Sequence, residues 1–334
     1  MTDQKFPKAY EKARDVDISA IPVIDFEGFR DGSESTRAAI AERIAAACET
    51  VGFFYLAGHG VPQSLIDDTF GMSATFFAQP FEDRMKTGAT LDWWRGYVPS
   101  KLEGEGGQVG GAIETFRTMF ELAPDDPDVK MGKPMHAPNR WPDHLAGFKD
   151  TVTAYQESQL DLSVHLAKAF AMGLDLPEDW FAPYYKRPLV QLSLLHYRPP
   201  KSQREEDFEI GAGEHTDTGA FTLLMQDDTG GLEVGHLENE WISAPPIAGT
   251  YVINIGDMMM RWTNGRYRST PHRVVNRSTK PRYSIPFFAN PDYDSIIAPP
   301  PQLVEPGTPV AFPPLHFGEY MDDFYSKGMA YLRK

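Results

Sequence analysis

From Leu189 to Phe312 the chain is cut into short β-rich runs by glycine, asparagine and proline, and this punctuation constrains the fold most. The runs are Leu189–Tyr197, Phe221–Gln226, Leu232–Val234, Trp241–Ser243, Tyr251–Ile255, Arg273–Val275, Tyr283–Phe288 and Val310–Phe312. Short strands at this spacing argue for a double-sheet jelly roll, a double-stranded β-helix, and against a parallel α/β sheet. The first half reads differently. A short strand entered through a proline at Ile21–Phe26 precedes a helix over Ser33–Thr50, whose apolar stripe includes Ile40, Ile44 and Ala47. A strand opens at Gly52, a turn follows at Gly58–Pro62, and a second helix runs from about Gln63 to Phe77. Phe116–Leu122 reads as a strand, and Gly147–Gly173 as the longest helix, supporting the sheet from outside. The expected class is therefore mainly β with flanking helices (α+β) around a jelly-roll core.

Four stretches are expected to pack as one compact domain. They are an N-terminal region (1–135), a supporting helical segment (136–188), the jelly-roll core (189–291) and a C-terminal extension (292–334). Between positions 87 and 123 lie Trp93-Trp94-Arg95-Gly96 and a glycine-rich tract with Gly104, Gly106, Gly107, Gly110 and Gly111. That composition suits a mobile lid over a pocket or a plain surface linker. It is no nucleotide loop, because no strand precedes it and the P-loop lysine is absent.

Within the core, His215 and Asp217 stand two residues apart at the head of the Phe221–Gln226 run. In extended backbone, i and i+2 share a face, so an imidazole and a carboxylate can approach one ion together. His272, at the start of the Arg273–Val275 run, is the natural third donor. Two histidines and one carboxylate form the facial triad of non-haem Fe(II) oxygenases, although zinc accepts similar ligands. Arg282 and Ser284 again share a strand face, and a guanidinium fork beside a hydroxyl suits a carboxylate.

On these residues the chain resembles the isopenicillin N synthase-like family of Fe(II)/2-oxoglutarate-dependent dioxygenases. The matching motifs are His215-x-Asp217, His272 and Arg282-x-Ser284, supported by Ile21-Pro22-Val23-Ile24-Asp25, Gly52-Phe53-Phe54-Tyr55 and Tyr251–Asp257. The resemblance runs over most of the chain and is densest from about 190 to 290. It implies an oxidoreductase in which His215, Asp217 and His272 hold Fe(II), dioxygen is consumed, and Arg282 and Ser284 grip the distal carboxylate of 2-oxoglutarate. It also implies hydroxylation, desaturation or cyclisation of a small-molecule metabolite, as in secondary metabolism, with release of succinate and CO2. Tyr197 stands where relatives often carry a tyrosine touching the same carboxylate, but His196-Tyr197-Arg198-Pro199 departs from the usual Asn-Tyr-Tyr-Pro or His-Tyr-Pro. Two other readings compete. A 2-oxoglutarate-independent iron oxidase of the isopenicillin N synthase type would carry a C-terminal glutamine ligand, and no glutamine follows Gln302. A non-catalytic binding protein on the same scaffold would be expected to have lost a ligand.

Other residues read as structural. His59 belongs to a turn, His165 to a core or rim, and Cys48, the single cysteine, to a helix interior. Asn254 and Asp257 read as strand-end and hairpin residues; Arg95, Lys101 and Arg117, near the glycine-rich tract, are candidates to bind an anionic substrate, with a solvated surface the simpler reading of each. Phe221, Met259, Trp262 and Phe288 are candidates for a pocket lining. A net charge of −15 argues against nucleic-acid partners. No apolar run approaches the ~18 residues a membrane span needs, and one cysteine permits no intrachain disulfide. A cytoplasmic protein acting on a small molecule is the expectation.

Overall fold

The computed structural model describes residues 20–90, 94–100, 113–199, 210–235 and 240–328. Lys101 and the glycine-rich part of the 87–123 segment lie outside these residues. Among the described residues, fourteen strands and seven α-helices follow in chain order. The strands are β1 (Val23–Asp25), β2 (Phe53–Ala57), β3 (Gly96–Val98), β4 (Ile113–Met119), β5 (Gln191–Tyr197), β6 (Ile210–His215), β7 (Phe221–Gln226), β8 (Leu232–Gly235), β9 (Trp241–Ser243), β10 (Tyr251–Ile255), β11 (His272–Val275), β12 (Arg282–Phe288), β13 (Ile296–Ile297) and β14 (Leu315–His316). The helices are α1 (Glu34–Thr50), α2 (Gln63–Phe77), α3 (Phe81–Met85), α4 (Pro127–Lys130), α5 (Phe148–Gly173), α6 (Asp257–Trp262) and α7 (Phe317–Gly328).

An eight-stranded sheet, ordered β1-β2-β10-β7-β12-β5-β4-β3, faces a four-stranded sheet, ordered β6-β11-β8-β9. Residue alternation along each strand sorts the side chains into two cores. On β2, Phe54 and Leu56 join the larger core beneath α1, α2 and α5, while Phe53 and Tyr55 enter a smaller core between the sheets with Leu232, Val234, Val252 and Val274. The architecture is thus helices, large sheet and small sheet in three layers, the expected jelly roll with helices covering one face.

Local chemistry explains the helix ends. Ser33 caps α1, its hydroxyl accepting from the Thr36 amide at 3.2 Å. Gly52 ends it with φ of 73°, returning its amide to Ala47 O, and a Cβ there would meet Arg268 O at 2.2 Å. Cys48 is fully buried, and burial pushes its thiol well up.

Several expectations are corrected. Val310–Phe312 forms no strand; Pro309, Pro313 and Pro314 flank it, and proline cannot donate to a ladder. The C-terminal pairing is instead β13 with β14. The predicted strand at Phe116–Leu122 is displaced to Ile113–Met119, inside the large sheet between β3 and β5. Two stretches of the proposed lid segment, Gly96–Val98 and Ile113–Met119, are therefore sheet strands. Asp257 opens α6 rather than a hairpin.

Candidate active site

β6 and β11 pair antiparallel with His215 directly opposite His272, so the two imidazoles come together with ring centroids 4.3 Å apart. Asp217 follows in the turn after β6 and completes the set. Its Oδ1 lies 3.9 Å from His215 Nε2 and 3.8 Å from His272 Nε2, and one ligand atom from each residue falls within 4.8 Å of the others. Every other polar atom of the three is occupied. Nδ1 of His215 lies 2.7 Å from Gly213 O, and Nδ1 of His272 3.3 Å from Thr270 O, which leaves both Nε2 atoms as the donors to an ion. Oδ2 of Asp217 accepts from Thr222 Oγ1 at 2.5 Å and from Asn254 Nδ2 at 2.7 Å, which turns Oδ1 toward the histidines.

Burial alone would raise the Asp217 carboxyl, but His272, the two hydrogen bonds and His215 outweigh it and hold the carboxyl below its ordinary range. Burial lowers His272, keeping it neutral as a ligand must be, against the opposing pull of Asp217. Phe53 packs edge-on to the His272 ring at 5.4 Å. Asp257 ties the two ligand-bearing loops together: its carboxylate accepts from Ser269 Oγ at 2.6 Å and Thr216 Oγ1 at 3.3 Å, and its amide donates to Asp217 O at 2.8 Å.

The same cavity, about 230 Å³, holds Arg282, Ser284 and Tyr197 at its other end. Arg282 is fully buried. Its Nε donates to Gly230 O at 2.6 Å, Nη1 to Ser284 Oγ at 3.0 Å and Nη2 to Gln226 Oε1 at 3.2 Å. A guanidinium has five N–H groups, so one remains on each terminal nitrogen, the arrangement a bidentate carboxylate needs. No carboxylate pairs with Arg282 among the described residues, although a buried cation calls for an anion. Tyr197 serves as a platform, its ring centroid 4.6 Å from the guanidinium carbon. β6 approaches this ring so closely that a Cβ on Gly211 would lie 2.3 Å from it.

These geometries fit a metal and a dicarboxylate in one cavity, and the comparisons agree. Residues 189–291 match the model of the 2OG-Fe(II) oxygenase superfamily, and residues 21–144 that of the N-terminal region of non-haem dioxygenase in morphine synthesis. The 2-oxoglutarate-Fe(II) type oxidoreductase hxnY of Emericella nidulans is 32% identical over 305 residues, 89% of this chain and 87% of that protein. The chain belongs to the isopenicillin N synthase-like family of 2-oxoglutarate- and Fe(II)-dependent oxygenases. Another relative, the 1-aminocyclopropane-1-carboxylate oxidase of Dictyostelium discoideum, is 34% identical over 316 residues, 84% of each chain. The crystal structure of a full-length Neurospora crassa protein in complex with alpha-KG and thymine superposes with a TM-score of 0.84 at 30% identity, covering 95% of this chain and all of that one. As a member of the family the protein is an Fe(II)/2-oxoglutarate-dependent oxidoreductase that uses dioxygen.

The structure brings together all six residues singled out from sequence. It also shows what that reading missed. Asn254 is no idle strand end but holds Asp217, while Thr222 and Gln226, neither of them singled out, hold Asp217 and Arg282. Arg117 is half-buried rather than on an open surface, and it lines the cavity. Arg95 is buried, donating to Met135 O at 3.1 Å, and burial pulls its guanidinium down to about 10. Of the aromatic and methionine candidates only Phe288 lines the cavity; Phe221, Met259 and Trp262 belong to the helix-side core. His59 is structural as expected, its Nδ1 accepting from the Val61 amide at 3.1 Å.

Proposed function

We propose that His215, Asp217 and His272 hold Fe(II), that Arg282 and Ser284 bind the distal carboxylate of 2-oxoglutarate over Tyr197, and that the enzyme oxidises a small-molecule metabolite. The observation carrying this reading is that one cavity contains both a convergent donor set and a buried guanidinium with two N–H groups to spare. When bound, iron and 2-oxoglutarate supply the oxidising power for hydroxylation, desaturation or ring closure, with succinate and CO2 released.

The chain's own groups bind, orient and exclude water. Thr222 and Asn254 fix the Asp217 carboxylate; the Gly213 and Thr270 carbonyls fix the imidazole tautomers; Leu224, Leu232 and Val274 keep the space between metal and clamp apolar. A cavity of this size suits a small substrate, and the net charge of −15 disfavours a nucleic acid. No helix among the described residues is long and apolar enough to cross a membrane, and the lone buried cysteine suits the cytoplasm. Asp217→Ala tests the assignment. Bound iron, measured after dialysis, and succinate formation should both fall to background with the circular dichroism spectrum retained; undiminished succinate would dismiss the triad.

A further inference from the structure

The strand register sets out the cavity face of the large sheet in rows. Arg282 opposes Tyr197, which opposes Ile113; Asn254, Thr222, Phe288 and Gln191 oppose one another in a second row, the one that holds Asp217. Arg117 opposes Ser193, two pairings short of the row that holds Gln191 and two strands from Arg282. Four residues along β4 and two strand spacings across give about 16 Å between the two arginine backbones. The two guanidinium groups therefore serve different ends of the cavity, Arg282 the cosubstrate end and Arg117 a place nearer the metal row.

Arg117 is not paired as a structural arginine usually is. Among the described residues no carboxylate meets it, and its Nε is sealed from solvent without a hydrogen-bond partner. Its guanidinium instead lies over the Tyr325 ring of α7, with the guanidinium carbon 5.6 Å from the centroid. The groups beside it are pre-oriented. The Tyr325 hydroxyl donates to Gln191 Oε1 at 2.7 Å, and Gln191 Nε2 donates to Ser193 Oγ at 3.2 Å. Ser193 Oγ accepts in that bond and so keeps its own hydrogen to donate, and Arg117, Gln191 and Ser193 all line the cavity. Trp94 backs Tyr325, with ring centroids 4.7 Å apart.

We propose that Arg117, with the Ser193 hydroxyl, binds a carboxylate of the prime substrate, so that the enzyme acts on small organic acids. This rests on the functional reading above, in which Arg282 is reserved for 2-oxoglutarate. An Arg117 that only staples α7 through Tyr325 would leave the substrate's charge unread, and the two roles separate experimentally.

The full-length protein with Fe(II) and 2-oxoglutarate under nitrogen is titrated with benzoate, phenylacetate and 3-phenylpropionate, and with their primary amides. Binding is followed by tryptophan emission, and 2-oxoglutarate by its visible absorption band on iron. At least one acid should bind about ten-fold more tightly than its amide, the margin of one lost charge-assisted contact. Arg117→Gln should erase that preference, and Arg117→Lys reduce it, with the absorption band and melting temperature kept. Arg282→Gln should lose the band and keep the preference. The proposal is overturned if no pair shows a preference, if the preference survives in Arg117→Gln, or if both Arg117 variants lose the band and melting temperature together. Absence of the band in the parent protein would instead refute the cosubstrate assignment, and the acid-over-amide comparison on iron alone would still decide the role of Arg117.

Discussion

On the helix side of the large sheet, Arg84 of α3 is 5% exposed and meets Glu114 of β4, itself 1% exposed; on the other side, Arg282 of β12 is 0% exposed and meets no carboxylate among the described residues. The first is a closed set. Glu114 also accepts from the Tyr97 hydroxyl at 2.6 Å and lies 2.6 Å from His196 Nδ1, and the His196 ring is stacked between Phe77 and Tyr283. The second is open, holding only neutral oxygens and keeping two N–H groups free. Strands one residue out of phase thus present opposite kinds of buried charge to the two faces. A charge balanced within the protein is part of the fold, whereas one left for a ligand to balance is part of the function.

The largest effect should come from opening the closed set. Glu114→Ala leaves Arg84 buried without its carboxylate and should cost about 3–5 kcal/mol of stability, read from denaturant unfolding. The same carboxyl adds a pH dependence. Burial would raise it, but the bonds from His196 and Tyr97 and the charge of Arg84 outweigh burial and hold it below its ordinary 4.5. Its contribution is therefore complete above the unfolded value and lost as pH falls through the lower folded one. Glu114→Gln should show a shallower acid limb than the parent.

Arg282→Gln sharpens the contrast from the other side. It removes a buried charge that no protein group balances, so unfolding of the metal-free protein should shift less than in Glu114→Ala. Affinity for 2-oxoglutarate should fall about 100-fold, the loss of a bidentate charge-assisted pair. Stabilisation by added 2-oxoglutarate, present in the parent through ligand linkage, should vanish in the variant over the same concentrations. A variant that unfolds as readily as Glu114→Ala, yet binds 2-oxoglutarate normally, would erase the distinction between the two arginines.

How much of this was legible in the chain depends on the range over which each feature is encoded. His215 and Asp217 could be paired from the period of a strand, and Arg282 with Ser284 by the same rule. The jelly roll followed from the spacing of short runs. Asn254 could not be placed in this way: asparagine at a strand end is ordinary turn chemistry, and its role arises only because β10 pairs with β7, setting Asn254 against Thr222. Arg117 needed only the right strand boundary to be placed. Starting the strand at Ile113 rather than Phe116 puts Ile113, Thr115 and Arg117 on one face by the period of a strand, and the structure shows that face to be the cavity side. Its neighbour across the sheet, Ser193, and its cover, Tyr325, are far apart in sequence, and no local pattern joins them.

Asn254 supplies the finest test, since it acts at one remove from the metal. Its amide is one of two donors to Oδ2 of Asp217, and Thr222 is the other. With both present the carboxylate cannot rotate without breaking two bonds, and Oδ1 stays aimed between the imidazoles. Asn254→Ala removes one donor and leaves Thr222, so iron affinity should fall about ten-fold, the low end for a partner of a metal ligand. Thr222→Val should do the same alone, and the two together should exceed their product, because each single variant keeps one bond that restrains the carboxylate. Competition against a chelator measures all three. Simple multiplication would instead mean that each donor acts independently on the charge of Asp217 rather than jointly on its direction, a separation that the geometry of a single Oδ2 does not favour.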